Sequence, residues 1–99
     1  MTERLAIALA QLNPTVGDVA GNVAKLRAAR TQAAAGADLV VSTELVIAGY
    51  PPEDLVFKPA FQGTVESAVA KLARETGDGG PGLVVGCPWR HEGKLFNAA

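Results

Sequence analysis

Gly36-Ala37-Asp38-Leu39-Val40-Val41-Ser42-Thr43-Glu44 is the stretch on which the fold turns. Leu39-Val40-Val41 is a short, continuous apolar run between turn-forming residues, the pattern of a strand buried on both faces. Upstream, Val23, Leu26, Ala29 and Ala33 recur at helical spacing with Lys25, Arg27 and Arg30 between them. Asp18 is placed to cap that helix, because its carboxylate can accept the unpaired amides of the first turn. Gly36 is placed to end it as a left-handed terminator. Further upstream, Leu5 to Ala10 is a second apolar run, set off by Asn13-Pro14-Thr15 and Gly17-Asp18. Strand, helix and strand within about forty residues make a βαβ unit with parallel strands.

Downstream, Ala48-Gly49-Tyr50-Pro51-Pro52 is irregular. Gly49 allows a backbone angle that other residues resist. Tyr50-Pro51 suits a turn and is a candidate cis peptide. Pro52 suits the first position of a short helical turn over Glu53 to Phe57, whose two acids are favoured by the positive helix end. The spacing of Val65, Ala68, Val69, Leu72 and Ala73 predicts a second helix over 61–76, ended by Gly77. Gly79-Gly80-Pro81-Gly82 is a loop but not a phosphate loop: no Lys-Ser/Thr follows, and a strand rather than a helix comes next. Leu83 to Gly86 is a third strand, His91-Glu92-Gly93-Lys94 a hairpin turn, and Leu95 to Ala98 a fourth strand. The order β-α-β-α-β-β predicts an α/β layered sheet. No further helix is available to cover the second face of that sheet, so 1–99 are expected to be a fragment of a larger domain.

A chain of 99 residues allows one domain at most. With 48% hydrophobic and 19% charged residues it has the composition of a globule rather than a disordered chain. The net charge is −1 and basic residues do not cluster, which argues against nucleic acid as a partner. No basic amphipathic helix or membrane-length apolar stretch is present, so no membrane partner is expected. Cys87 is the only cysteine, which rules out an internal disulfide and a multi-cysteine metal site and fits a reducing compartment. The N-terminal apolar run is too short for a signal peptide. The expectation is a cytoplasmic protein with no metal site and no cofactor site in this segment.

Glu44 follows the apolar strand at its carboxyl end, where ligands gather in open α/β sheets. With Leu45, Val46 and Ile47 beside it, the carboxylate should be partly desolvated, and desolvation makes a carboxylate a better proton acceptor. Position alone leaves two readings open: a general base, or a strand-end acid that pairs with a cation or with backbone amides. Tyr50 either offers its hydroxyl to a pocket or packs. Glu53 and Asp54 have a structural explanation in the helical turn. Cys87 has His91 nearby in sequence, but cysteine at the end of a buried strand behaves as a small hydrophobe. His91 belongs to the exposed hairpin, and Trp89 to packing at the strand end.

Ser42-Thr43-Glu44-Leu45-Val46-Ile47-Ala48-Gly49-Tyr50-Pro51-Pro52-Glu53-Asp54-Leu55 resembles the acid motif of the nitrilase, or carbon–nitrogen hydrolase, superfamily. Its narrower part, Gly-Tyr-Pro-Pro-Glu-Asp-Leu, resembles the glutaminase domain of glutamine-dependent NAD synthetases. Ile7-Ala8-Leu9-Ala10-Gln11-Leu12-Asn13-Pro14 with Val16-Gly17-Asp18 and Asn22 is similar to the first strand, loop and helix of that family, and Leu95 to Ala99 to its hairpin strand.

The resemblance implies that 1–99 are the N-terminal portion of a glutaminase domain, the first part of a four-layer α-β-β-α sandwich. It implies that Glu44 is the general base of a Glu-Lys-Cys triad acting on L-glutamine, with Tyr50 lining the substrate pocket. The triad lysine and cysteine would then lie past Ala99, since Cys87-Pro88-Trp89 does not match the family's Cys-Glu-Asp context and Lys58, Lys71 and Lys94 fall on other elements. These residues alone are expected to have no glutaminase activity. In the whole enzyme a synthetase domain would use ATP and Mg2+ to amidate deamido-NAD with the released ammonia, and a homo-oligomer is expected. Two alternatives remain at this point: a free-standing amidase of the same superfamily, and a non-catalytic fragment.

Overall fold

A computed structural model describes residues 3–99. The elements in chain order are β1 (Ile7–Ala10), α1 (Val19–Ala33), β2 (Leu39–Ser42), a 3-10 turn (Glu53–Phe57), α2 (Pro59–Glu75), a second 3-10 turn (Thr76–Asp78), β3 (Gly82–Val84), β4 (Cys87–His91) and β5 (Lys94–Ala98). β1, β2 and β3 form a parallel sheet in that order, with Ile7 opposite Leu39 and Leu39 opposite Gly82. β4 and β5 form a separate antiparallel hairpin.

The sequence expectation holds for the βαβ unit, for both helices and for the hairpin, and it fails at the third strand and at two glycines. β3 ends at Val84, and a new strand begins at Cys87, so the predicted third strand is broken at Val85-Gly86. The cause is a crossing of backbones: a methyl group on Gly86 would lie 2.3 Å from the Thr43 carbonyl oxygen and 2.7 Å from the Leu45 nitrogen. Gly36 is not a left-handed terminator; α1 closes instead through the Ala34 amide on Thr31 and the Ala37 amide on Ala33. Gly77 does not carry the left-handed angle after α2 either. A 3-10 turn intervenes, and Gly79 takes φ +83. β1 is covered on one face only, in keeping with the expectation that no helix is available for the second face of the sheet: Ala10 is buried, while Ile7 is 48% and Leu9 73% exposed. A continuous apolar run cannot reveal which of its faces the chain itself covers.

Asp18 caps α1 as expected, accepting the Gly21 amide at 3.0 Å. Glu92 and Gly93 form a two-residue turn with φ +49 and +75, and positive angles at both central positions match the twist of a hairpin. The Tyr50-Pro51 peptide is cis.

Val19, Val23 and Leu26 of α1 meet Val65 and Leu72 of α2 over Val46, Ile47 and Cys87 in one buried cluster. Both helices therefore pack on the same side, and the segment after β2 runs beneath them. Ala73, expected on the apolar face of α2, is exposed. Asn22 lies on the buried stripe of α1 between Val19 and Leu26 and is only 1% exposed. Its side chain donates to the carbonyls of Thr15 at 2.8 Å and Ile47 at 3.0 Å and accepts the Thr15 amide at 2.7 Å. That one amide joins the loop after β1 to the segment after β2. Gly49 lets the same two segments touch: it takes φ +82, and a methyl group there would meet the Thr15 carbonyl oxygen at 2.6 Å. The Gly17 amide completes the junction on the Ala48 carbonyl at 2.9 Å.

Ion pairs tie the far ends of the helices. Arg27 grips Glu75 through both carboxylate oxygens, and Arg30 grips Asp78 while also donating to the Pro81 carbonyl. Arg90 of β4 holds Glu66 of α2 in the same bidentate way. No helix among the described residues is long and apolar enough to cross a membrane.

Two stability predictions follow from these contacts. Asn22→Ala strips partners from three backbone groups in a buried junction and should lower unfolding free energy by about 2–4 kcal/mol. A loss below about 0.5 kcal/mol in denaturant titration would mean that water replaces the amide. The second concerns acid. Hydrogen bonds from Arg30 and the Gly80 amide hold the Asp78 carboxyl below its ordinary range; Arg27 does the same to Glu75, and Arg90 to Glu66. Carboxyls depressed in the folded state add stability above their unfolded pKa values, near about 4, and lose it as the pH falls through the folded values. Thermal midpoints should therefore fall on acidification below about pH 4, by less in Arg30→Ala, and added salt should mute the effect because the pairs are solvent-facing.

Candidate active site

Glu44 stands just past the carboxyl end of β2, which ends at Ser42. The end of that strand is tied to β3 by side-chain and backbone bonds. The Ser42 hydroxyl donates to the Val84 carbonyl at 2.7 Å and accepts the Gly86 amide at 3.3 Å. The Ile47 amide returns to the Gly86 carbonyl at 3.3 Å. Between those anchors the chain makes an abrupt turn: Leu45 takes φ +51, a left-handed angle that costs a non-glycine residue of order 1 kcal/mol. Burial of Leu45 through Ala48 offsets that strain and leaves Glu44 facing outward.

Glu44 is exposed among the described residues. Leu45, Val46 and Ile47 turn into the core beneath it, so sequence neighbours do not cover it. Its partner is Asn97 of β5, whose Nδ2 donates to Oε1 at 2.6 Å. No cation pairs with Glu44 among the described residues. Asn97 went unnoticed in the sequence because hairpin register alone does not reveal which strand face lies near β2. Tyr50 is 61% exposed beyond the Ala48-Gly49 turn. Glu53 and Asp54 occupy the first turn of the 3-10 element, as expected.

Cys87 opens β4 and is buried in the core cluster, where burial pushes its thiol pKa up. His91 lies at the far end of the same strand, exposed, 3.7 Å from Glu92. The two are not brought together, and a raised thiol pKa opposes thiolate chemistry. A thiol-labelling reagent should therefore react with Cys87 only at the rate at which the fold opens, rising to the free-thiol rate in denaturant. Fast labelling under native conditions would reverse this assignment.

No group of three or more His, Cys, Asp or Glu side chains among the described residues is placed to hold a metal ion. The described residues offer a strained turn at a strand end that projects one carboxylate, with an amide against one of its oxygens.

The chain is similar along its length to proteins of known family. The model of the carbon–nitrogen hydrolase family matches residues 6–99. A glutamine-dependent NAD(+) synthetase of Rhodobacter capsulatus is 48% identical over 99 residues, covering 99% of this chain and 18% of the relative. One from Synechocystis is 49% identical over 70 residues, 70% of this chain and 12% of the relative. The crystal structure of a glutamine-dependent NAD(+) synthetase from Cytophaga hutchinsonii superposes with a TM-score of 0.84 at 28% identity, covering 94% of this chain and 16% of that one. The enzyme from Acinetobacter baumannii in complex with adenosine diphosphate gives 0.84 at 32% identity, covering 94% of this chain and 18% of that one. The chain thus spans less than a fifth of each of these relatives, and its α/β architecture is that of the first part of their nitrilase-type domain. On the family match over residues 6–99 and the 0.84 superpositions, the chain belongs to the carbon–nitrogen hydrolase family.

Proposed function

We propose that 1–99 are the N-terminal portion of the glutaminase domain of a glutamine-dependent NAD synthetase and that Glu44 is its general base. The observation that carries this reading is the Glu44 carboxylate, projected from the end of β2 by a strained turn with Asn97 on one oxygen. Among the described residues nothing bonds to its other oxygen, which leaves that oxygen available for a proton. The identity to synthetases along the whole chain favours this reading over a free-standing amidase.

In the proposed reaction Glu44 accepts the proton of a cysteine thiol, and the thiolate attacks the side-chain carboxamide of L-glutamine. A lysine and backbone amides stabilise the oxyanion of the tetrahedral intermediate. Glu44 returns the proton to the departing ammonia and leaves a glutamyl thioester. It then takes a proton from the water that hydrolyses the thioester, releasing glutamate and restoring the thiol. The lysine and cysteine come from chain beyond these residues, so Glu44 acts as one of three. Tyr50, exposed past the Gly49 turn, lines the glutamine pocket. The ammonia serves a synthetase domain that binds ATP and Mg2+ and amidates deamido-NAD. The protein is read as a cytoplasmic homo-oligomer, without a nucleic-acid or membrane partner.

The test joins these residues in frame to the remainder of the Rhodobacter capsulatus relative, in place of its own matching segment. Glu44→Gln should lower ammonia release from glutamine by at least about 100-fold. NAD formation from free ammonia should persist, since that route bypasses the base. A variant that still hydrolyses glutamine within a few-fold of its parent would refute the assignment.

A further inference from the structure

We infer that Asn97 is a positioning residue for Glu44, one that fixes which carboxylate oxygen faces the nucleophile; the inference rests on the glutaminase reading above. Asn97 and Glu44 are 53 residues apart, and both are exposed among the described residues. A contact between two solvent-facing side chains adds little to folding, because water competes for both groups. This contact is nevertheless imposed by the backbone. Gly86 lies so close to Thr43 and Leu45 that a methyl group would overlap them, and β4 starts at the next residue. The two-residue Glu92-Gly93 turn then sends β5 back along β4, with Asn97 opposite Pro88 and Ala98 opposite Cys87. The crossing that turns Glu44 outward is therefore the one that brings the return strand to its carboxylate. A register slip of one residue would move Asn97 to the other face of the hairpin and replace it with an apolar neighbour.

The side-chain chemistry fits the task. A carboxylate has about four acceptor positions, and the amide occupies one of them, on Oε1. Oε2 is left for the proton that Glu44 must take and return. An amide holds the carboxylate without neutralising it, whereas a lysine or arginine at 97 would form an ion pair and compete with the cation that the oxyanion requires. Only the nitrogen end of the amide can face a carboxylate, so the bond also fixes the orientation of Asn97 itself. Loss of such a constraint misplaces a proton acceptor by a fraction of an ångström to an ångström. Displacements of that size reduce turnover steeply while leaving substrate binding largely intact.

The test uses the same joined enzyme, with Glu44→Gln as reference and free-ammonia-driven NAD formation as the check that each variant folds. Asn97→Ala should lower kcat for ammonia release by about 10- to 100-fold and move KM by no more than about twofold. The isosteric Asn97→Asp keeps the shape but sets a second carboxylate against the first. Its kcat should fall below that of Asn97→Ala at neutral pH, and the acid limb of its kcat profile should move to higher pH than in the parent. A role confined to folding predicts the reverse order, with the isosteric variant near the parent. If both variants stay within twofold of the parent kcat while Glu44→Gln is inactive, Asn97 does not position the base. An active Glu44→Gln would instead remove the glutaminase reading, and this inference with it.

Discussion

The buried side chain of Asn22 is the contact on which the rest of the arrangement hangs. It is the one polar residue on the buried stripe of α1, and its three bonds reach Thr15 on one side and Ile47 on the other. Those positions belong to the loops that follow β1 and β2, at the carboxyl ends of adjacent parallel strands. Parallel strands bring such loops near each other but supply no hydrogen bonds between them, because the ladder has already ended. An amide offers a donor and an acceptor together, so one side chain can satisfy both groups of Thr15 and still reach Ile47. No buried side-chain nitrogen or oxygen among the described residues lacks a partner.

From that junction the position of the acid follows mechanically. Ile47 is held from above by Asn22, and its own amide is held from below by the Gly86 carbonyl. Ser42 is bonded to Val84 and to Gly86. The residues between 42 and 47 must therefore turn within a short span, and Leu45 takes the left-handed angle that this requires. The turn directs Leu45 to Ala48 inward and Glu44 outward. Backbone strain is tolerated where the surroundings over-determine it, and here two glycines make the close approaches that do so. Gly49 admits the Thr15 loop, and Gly86 admits the Thr43–Leu45 backbone, each at distances no side chain would allow.

The α1 helix was visible in the spacing of Val23 and Leu26 and in the Asp18 cap, because both signals are local. The hairpin was visible in His91-Glu92-Gly93-Lys94, because turn chemistry is local too. Gly86 looked like the end of a strand, since the backbone it must accommodate lies some forty residues earlier in sequence. The direction of Glu44 is hidden for a similar reason: apolar neighbours in sequence need not be neighbours in space when the intervening backbone reverses. Asn97 lies in a stretch that resembles the family's hairpin strand, but only the pairing of β5 with β4 and the Gly86 crossing explain its place beside Glu44.

Residue pattern alone determined the class of fold, the order of elements, the candidate acid and the family it resembles, because periodicity, caps, turns and a contiguous motif all reside within a few residues of one another. Tertiary structure alone decided where β3 breaks, which face of β1 is open, what surrounds Cys87 and what meets Glu44. Each of those depends on groups separated by tens of residues that meet only once sheet register and helix packing are set. The candidate acid could be named from the chain, but the direction of its carboxylate is a property of the packed backbone.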